Sequence, residues 1–261
     1  MKLEQIQLPV TNLLYADYLA NKDKTREFFE YHQQANDFEM RAQYLKTRTY
    51  QFNKLAQVVE EYMEPFGISD QVRANINLLK DGAYAVVGGQ QAGILTGPLY
   101  SLHKAITVLL LAKKQSEELQ MPIVPIFWIA GEDHDIEEIN HTYTLADGQL
   151  KKRAYSIRNR KKMMASKTVF DKAEMEKTIL QIFTDFGETQ YTNDILETVQ
   201  KAIQHSLTFT DLFTSLMNDL FKQYGLLMID AADESFRQLE SDYFIQLIEN
   251  SELIASEVYK K

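Results

Sequence analysis

The sequence predicts an α/β fold: a parallel-sheet core preceded by an N-terminal helical segment and interrupted by helical connecting insertions. Three observations carry this. Residues 84–129 run strand, glycine-rich loop, long helix, strand, the order of a βαβ unit. Before residue 80 the apolar residues recur with helical spacing. A third apolar run, Gly225-Leu226-Leu227-Met228-Ile229-Asp230, reads as a further core strand. The implied segments are 1–80 for the N-terminal helices, 81–231 for the core with an insertion at about 142–223, and 232–261 for the start of another helical region.

In chain order, Asp23 to Tyr44 carries Phe28, Phe29, Tyr31, Ala35, Phe38, Met40 and Tyr44, one apolar face of a helix. Thr49 to Met63 continues in that style until Pro65-Phe66-Gly67 stops it. A short helix over Asn75 to Lys80 ends at Asp81-Gly82. Tyr84 to Val87 is a strand, Gly88 to Pro98 a loop, Leu99 to Lys114 a helix, and Pro122 to Ile129 a second strand. Thr142 to Leu145 and Leu150 to Ile157 flank the turn Asp147-Gly148 as a hairpin whose end is the basic run Arg158-Asn159-Arg160-Lys161-Lys162. Helices fill 173–223, and Glu234 to Ile248 is helical. The end at Val258-Tyr259-Lys260-Lys261 lacks a helix stop and reads either as a truncated helix or as a frayed one.

Composition narrows the function classes. Lys plus Arg number 28 against 37 Asp plus Glu, a net charge of -9, so no global charge attracts nucleic acid or an anionic membrane. There is no cysteine, which excludes thiolate metal sites and a cysteine nucleophile and agrees with a reducing cytoplasm. The first residues lack a basic head and an apolar stretch, so no signal peptide is expected, and no apolar run reaches membrane-spanning length.

Two loops carry candidate chemistry, and both come directly after strands, where open α/β sheets bind ligands. In the first, Gly88, Gly89, Gly93 and Gly97 surround Gln90, Gln91 and Thr96. Such a loop before a helix points N–H groups at a phosphate or carboxylate, or serves only as a turn. It matches neither the dinucleotide nor the Walker fingerprint. His103 and Lys104, one turn into the helix, are placed to stabilise negative charge there, or are an ordinary surface pair. The second loop holds Gly131, Glu132, Asp133, His134, Asp135, Glu137 and Glu138, then Asn140 and His141. Crowded carboxylates need a cation. A substrate ammonium answers that need, ahead of a metal on His134 and His141, whose spacing fits no known metal motif. A helix start accounts for Asp135, Glu137 and Glu138 alone. Trp128, His32 and His205 read as structural, and Asp230 either faces the same cleft or caps the next helix.

These loops resemble the N-terminal part of the BshC family, the cysteine ligases of bacillithiol biosynthesis. The resemblance rests on Gly89-Gln90-Gln91-Ala92-Gly93-Ile94-Leu95-Thr96-Gly97-Pro98-Leu99-Tyr100, on His103-Lys104, and on Pro125 to Asp135 continuing to Glu138-Ile139-Asn140-His141. It implies a Rossmann-like core and, beyond residue 261, a C-terminal coiled coil that dimerises and is missing here. It implies the joining of the cysteine carboxyl to the amino group of glucosaminyl malate, with ATP or ADP at the site and no metal. Similarity of that core to class I nucleotidyl-transferring enzymes such as cysteinyl-tRNA synthetase sets Thr96-Gly97-Pro98 to His103 where their nucleotide-binding histidine motif lies. The expected catalytic group is His103, Asp133, His134 and Asp135. Gly89, Gln90, Gln91, Gly93, Thr96, Gly97, Lys104, Gly131, Glu132, Glu138, Asn140 and His141 are the expected binding group. A non-catalytic nucleotide- or thiol-binding remnant and a metal-assisted hydrolase are the competing readings.

Overall fold

A computed structural model describes residues 10–31, 34, 36–157 and 162–260; His32 and Arg158 to Lys161 lie outside them. The chain divides into two compact units, 1–50 and 51–261. The first carries helices α1 (Leu13–Leu19), α2 (Asp23–Arg26) and α3 (Asp37–Lys46). The single helix expected over Asp23 to Tyr44 is therefore two. α2 stops after one turn, and α3 begins afresh where the Asp37 carboxylate accepts the Gln34 N–H.

The second unit opens with α4 (Phe52–Met63) and α5 (Asp70–Lys80). Both helices bury an apolar face (Val59, Met63, Val72, Ile76 and Leu79) in the same cluster as the sheet, so 51–80 belongs with the core. α5 starts five residues earlier than its apolar spacing suggests, because the Ser69 hydroxyl accepts the Val72 N–H as an N-cap. β1 (Tyr84–Gln90), α6 (Leu99–Leu119) and β2 (Ile123–Ile129) form the βαβ unit. A two-stranded hairpin, β3 (His141–Ala146) and β4 (Gln149–Ala154), comes after the one-turn helix α7 (Ile136–Ile139). Helices α8 (Lys172–Phe186), α9 (Thr192–His205) and α10 (Phe209–Phe221) then lead to β5 (Leu227–Asp230), and α11 (Glu234–Glu249) and α12 (Ser251–Lys260) close the chain.

The core sheet has order β1-β2-β5, all parallel. β1 runs on through Gly88 and Gly89, which the sequence assigned to the loop. Packing explains both residues. A Cβ on Gly88 would lie 2.6 Å from Val108 of α6, and one on Gly89 would lie 2.1 Å from the Trp128 carbonyl oxygen on β2. Glycine here permits close approach within the βαβ unit. α6 and α10 cover one face of the sheet, with Phe127 against Phe213. Trp128 alternates to the other face and meets Phe236 of α11 edge-on. A second apolar cluster joins α7 to α8, α9 and α10.

Candidate active site

Register brings three chain segments to one rim. Gln90 is level with Ile129, and Ile129 with Asp230, so both loops and the turn after β5 leave the sheet side by side at its carboxyl end. The Ala130 N–H also donates to the Gln90 carbonyl. Above that join, the Gln91 amide donates to Asp133 at 2.6 Å and to Glu138 at 2.7 Å, spanning the two loops.

On the glycine side, the loop turns on residues that rarely adopt its backbone. Leu95 and Thr96 have φ of 51° and 72°, and Gly97 comes next at 73°. Left-handed non-glycine residues cost ~1–3 kcal/mol each and persist only where packing holds them. Here Ile94 is buried in the second apolar cluster with Leu95 against it. Gly93 is needed because a Cβ would sit 2.6 Å from the Gly97 Cα. The Lys104 ammonium donates to the Gln90 side chain at 2.6 Å and to the Gly89 carbonyl at 3.2 Å, and Gln90 reaches Tyr100. His103, near the start of α6, is exposed, and its imidazole has no hydrogen bond to another described residue. Ser101, in the first turn of α6, is fully buried and its hydroxyl has no hydrogen-bond partner. The first N–H groups of a helix have no partner within it, so loop and helix end together offer unsatisfied donors.

The acidic side is clamped from the insertion. Ala165 and Ser166 donate their N–H groups to the carbonyls of Asp133 and Gly131. The Ser166 hydroxyl donates to the buried carboxylate of Asp230, whose other oxygen accepts the Ala232 N–H at 2.9 Å. Burial pushes the Asp230 pKa above the ordinary carboxylate range, with Glu132 and Asp233 adding negative charge. Glu132 is partly buried, and its Oε2 is shielded from solvent without a partner. Asp133 is held below the carboxylate range by the Asp135 N–H and the Gln91 amide.

His134 and Asp135 are exposed on a cleft of about 870 Å³ whose far wall includes Lys162, Lys167, Asp171 and Glu174. Asn140 also lines this cleft; it is buried and exchanges hydrogen bonds with the Tyr155 backbone, which ties the cleft wall to the hairpin. His141 bonds the Glu137 carbonyl and stacks edge-on with Tyr143. Among the described residues no three His, Asp or Glu side chains are grouped to hold a metal ion. Sequence reading missed Ser101 and Ser166, since a lone serine in a helix or turn carries no pattern.

A parallel sheet crossed by helices, with polar loops gathered at its carboxyl rim, defines a Rossmann-like domain. Over residues 1–261 the chain matches the family described as bacillithiol biosynthesis BshC, N-terminal Rossmann-like domain, and it belongs to that family. It is 50% identical over 261 residues to the "Putative cysteine ligase BshC" of Lysinibacillus sphaericus, covering 100% of this chain and 48% of the relative. Proteins of the same name from Bacillus licheniformis and Geobacillus thermodenitrificans are 39% identical over 262 residues and 38% over 260, covering 100% and 99% of this chain and 48% of each relative. The chain thus spans about half the length of the curated relatives it matches. No described helix is long and apolar enough to cross a membrane.

Proposed function

We propose that this chain forms the part of a cysteine ligase that brings an activated cysteine carboxyl to the amino group of glucosaminyl malate. The observation that carries the reading is the Gln91 bridge. It sets a donor-rich loop suited to a negatively charged acyl group beside an acceptor-rich loop suited to an amine.

On the donor side, Lys104 and the first N–H groups of α6 fit a carboxyl or phosphate oxygen. ATP would supply the activation of the carboxyl there. His103, exposed near the start of α6, is a further donor for negative charge on the acyl group or its phosphate. On the acceptor side, the Asp135 N–H and the Gln91 amide favour the carboxylate form of Asp133, so an ammonium meets a negative acceptor there. The ammonium first gives one proton to Asp133 or His134, which frees its lone pair. As the amine then attacks, a C–N bond forms, the bond from the acyl carbon to AMP or phosphate breaks, and the second amine proton leaves with that group or to solvent. The cleft wall carries both lysines and carboxylates, which suits an amino sugar that also bears carboxylates.

The test uses a full-length BshC carrying His134→Ala or Asp133→Asn at the matching positions. Each is expected to abolish bacillithiol formation while circular dichroism stays unchanged; normal thiol output from both overturns the assignment. Calorimetry of this chain with ATP, cysteine and glucosaminyl malate then shows which ligand this half binds alone.

A further inference from the structure

The Gln91 bridge has the contact set of an ammonium. Its amide nitrogen stands 2.6 Å from Asp133 Oδ2 and 2.7 Å from Glu138 Oε2, so both of its N–H groups are engaged by carboxylates. The two acids come from the acidic loop and from α7, and the glutamine from the glycine loop. No Lys or Arg among the described residues pairs with either acid. A neutral amide leaves the repulsion between two carboxylates uncompensated, whereas a cation cancels it. The nitrogen is also within reach of solvent: Glu138 is exposed, and Gln91 and Asp133 are partly exposed. On its other flank Gln91 borders an open groove of about 460 Å³ along Gln90, Trp128 and Ala130, so the side chain has room to swing away. The loops do not depend on this bridge alone. Ala130 donates to the Gln90 carbonyl, and Ala165 and Ser166 hold the acidic loop from the insertion.

We infer that the Gln91 amide nitrogen marks the seat of the substrate's primary ammonium, and that Gln91 is a displaceable plug in that seat. The inference rests on the ligase reading for the identity of the amine. An incoming ammonium takes over the bonds to Asp133 and Glu138 and brings the positive charge they lack, while the Gln91 side chain turns into the groove. No covalent bond changes in this exchange. The seat asks for two N–H groups and a positive charge on one nitrogen. A primary ammonium supplies both. An N-acetylated sugar supplies neither, because its amide nitrogen is uncharged and carries one N–H. Gln91 thereby tunes the affinity for the amine: molecules in which it sits between the carboxylates are closed to the ligand, and the apparent dissociation constant rises accordingly.

Calorimetry with glucosaminyl malate tests this on the 261-residue chain and on its Gln91→Ala and Gln91→Met variants. It needs no catalytic turnover, so its failure is separate from failure of the ligase reading, which bacillithiol formation reports. Both variants are expected to bind ~10-fold more tightly, the factor for a plug closed about nine-tenths of the time. A glutamine that only braces the loops gives the opposite sign, since its removal loosens the site. Equal or weaker binding by both variants therefore overturns the inference, as does the absence of binding to any of these proteins. If Gln91→Ala does not fold, Gln91→Met, which keeps the length of the side chain without its donors, carries the comparison. Nuclear magnetic resonance of the unsubstituted chain gives a second readout. The Gln91 side-chain NH2 signal is expected to move when glucosaminyl malate is added and to stay in place with its N-acetylated form. A signal that answers to neither compound, or to both alike, overturns the inference.

Discussion

Gly131→Ala tests how the acidic loop is held. A Cβ there would lie 2.1 Å from the Ser166 hydroxyl oxygen and 2.2 Å from an Asp230 carboxylate oxygen. Both atoms must retreat by about an ångström to reach ordinary contact. Neither is free to do so, because Ser166 donates to Asp230 and Asp230 is also tied to the Ala232 N–H. Rotating Ser166 away leaves a buried carboxylate short of a donor, and moving Asp230 breaks the Ala232 bond. Overpacking and the lost bond together cost ~2–4 kcal/mol. Trp128, the only tryptophan, lies two residues from the loop against Phe236, so its fluorescence during urea unfolding reads the change. Ser166→Ala alone should destabilise by ~1–2 kcal/mol, and by much less when added to Gly131→Ala, since the clash has already broken the bond. Full additivity of the two changes would refute the clamp, as would a midpoint unmoved by Gly131→Ala.

Carboxylates shifted in opposite directions give two pH experiments. Burial raises the Asp230 pKa above its unfolded value, so its contribution to stability is whole below the unfolded pKa and is lost as pH rises through the native one. Asp230→Asn, which keeps an acceptor for Ala232 and a donor for Ser166, should flatten that decline; parallel stability profiles for the two proteins between pH 4 and 8 would count against it. Asp185 is shifted the other way, held well below the carboxylate range by the two-pronged Arg153 contact at 2.6 and 2.8 Å and by Thr144. Its contribution is present above the unfolded pKa and lost as pH falls through the native one. Asp185→Asn should therefore speed amide exchange in the β3–β4 hairpin at neutral pH and remove its acid dependence, and unchanged hairpin protection would sink that assignment.

Local pattern was enough for the βαβ order, the hairpin turn at Asp147-Gly148 and the placing of both loops at strand ends, because the spacing of apolar and turn residues is a property of neighbouring residues. It misled where a residue serves a distant neighbour. Gly88 and Gly89 look like loop glycines, yet Val108 and Trp128 make them strand glycines. Asn140 reads only as part of a polar loop, yet it also pins the hairpin through the Tyr155 backbone.

The sequence by itself determined which segments are polar, which are apolar and in what order they come. Only the tertiary structure decided that Gln91 meets Asp133 and Glu138, and that Ser166 locks Asp230. The physical reason is that a hydrogen bond between residues far apart in the chain depends on sheet register and packing, which no local periodicity records.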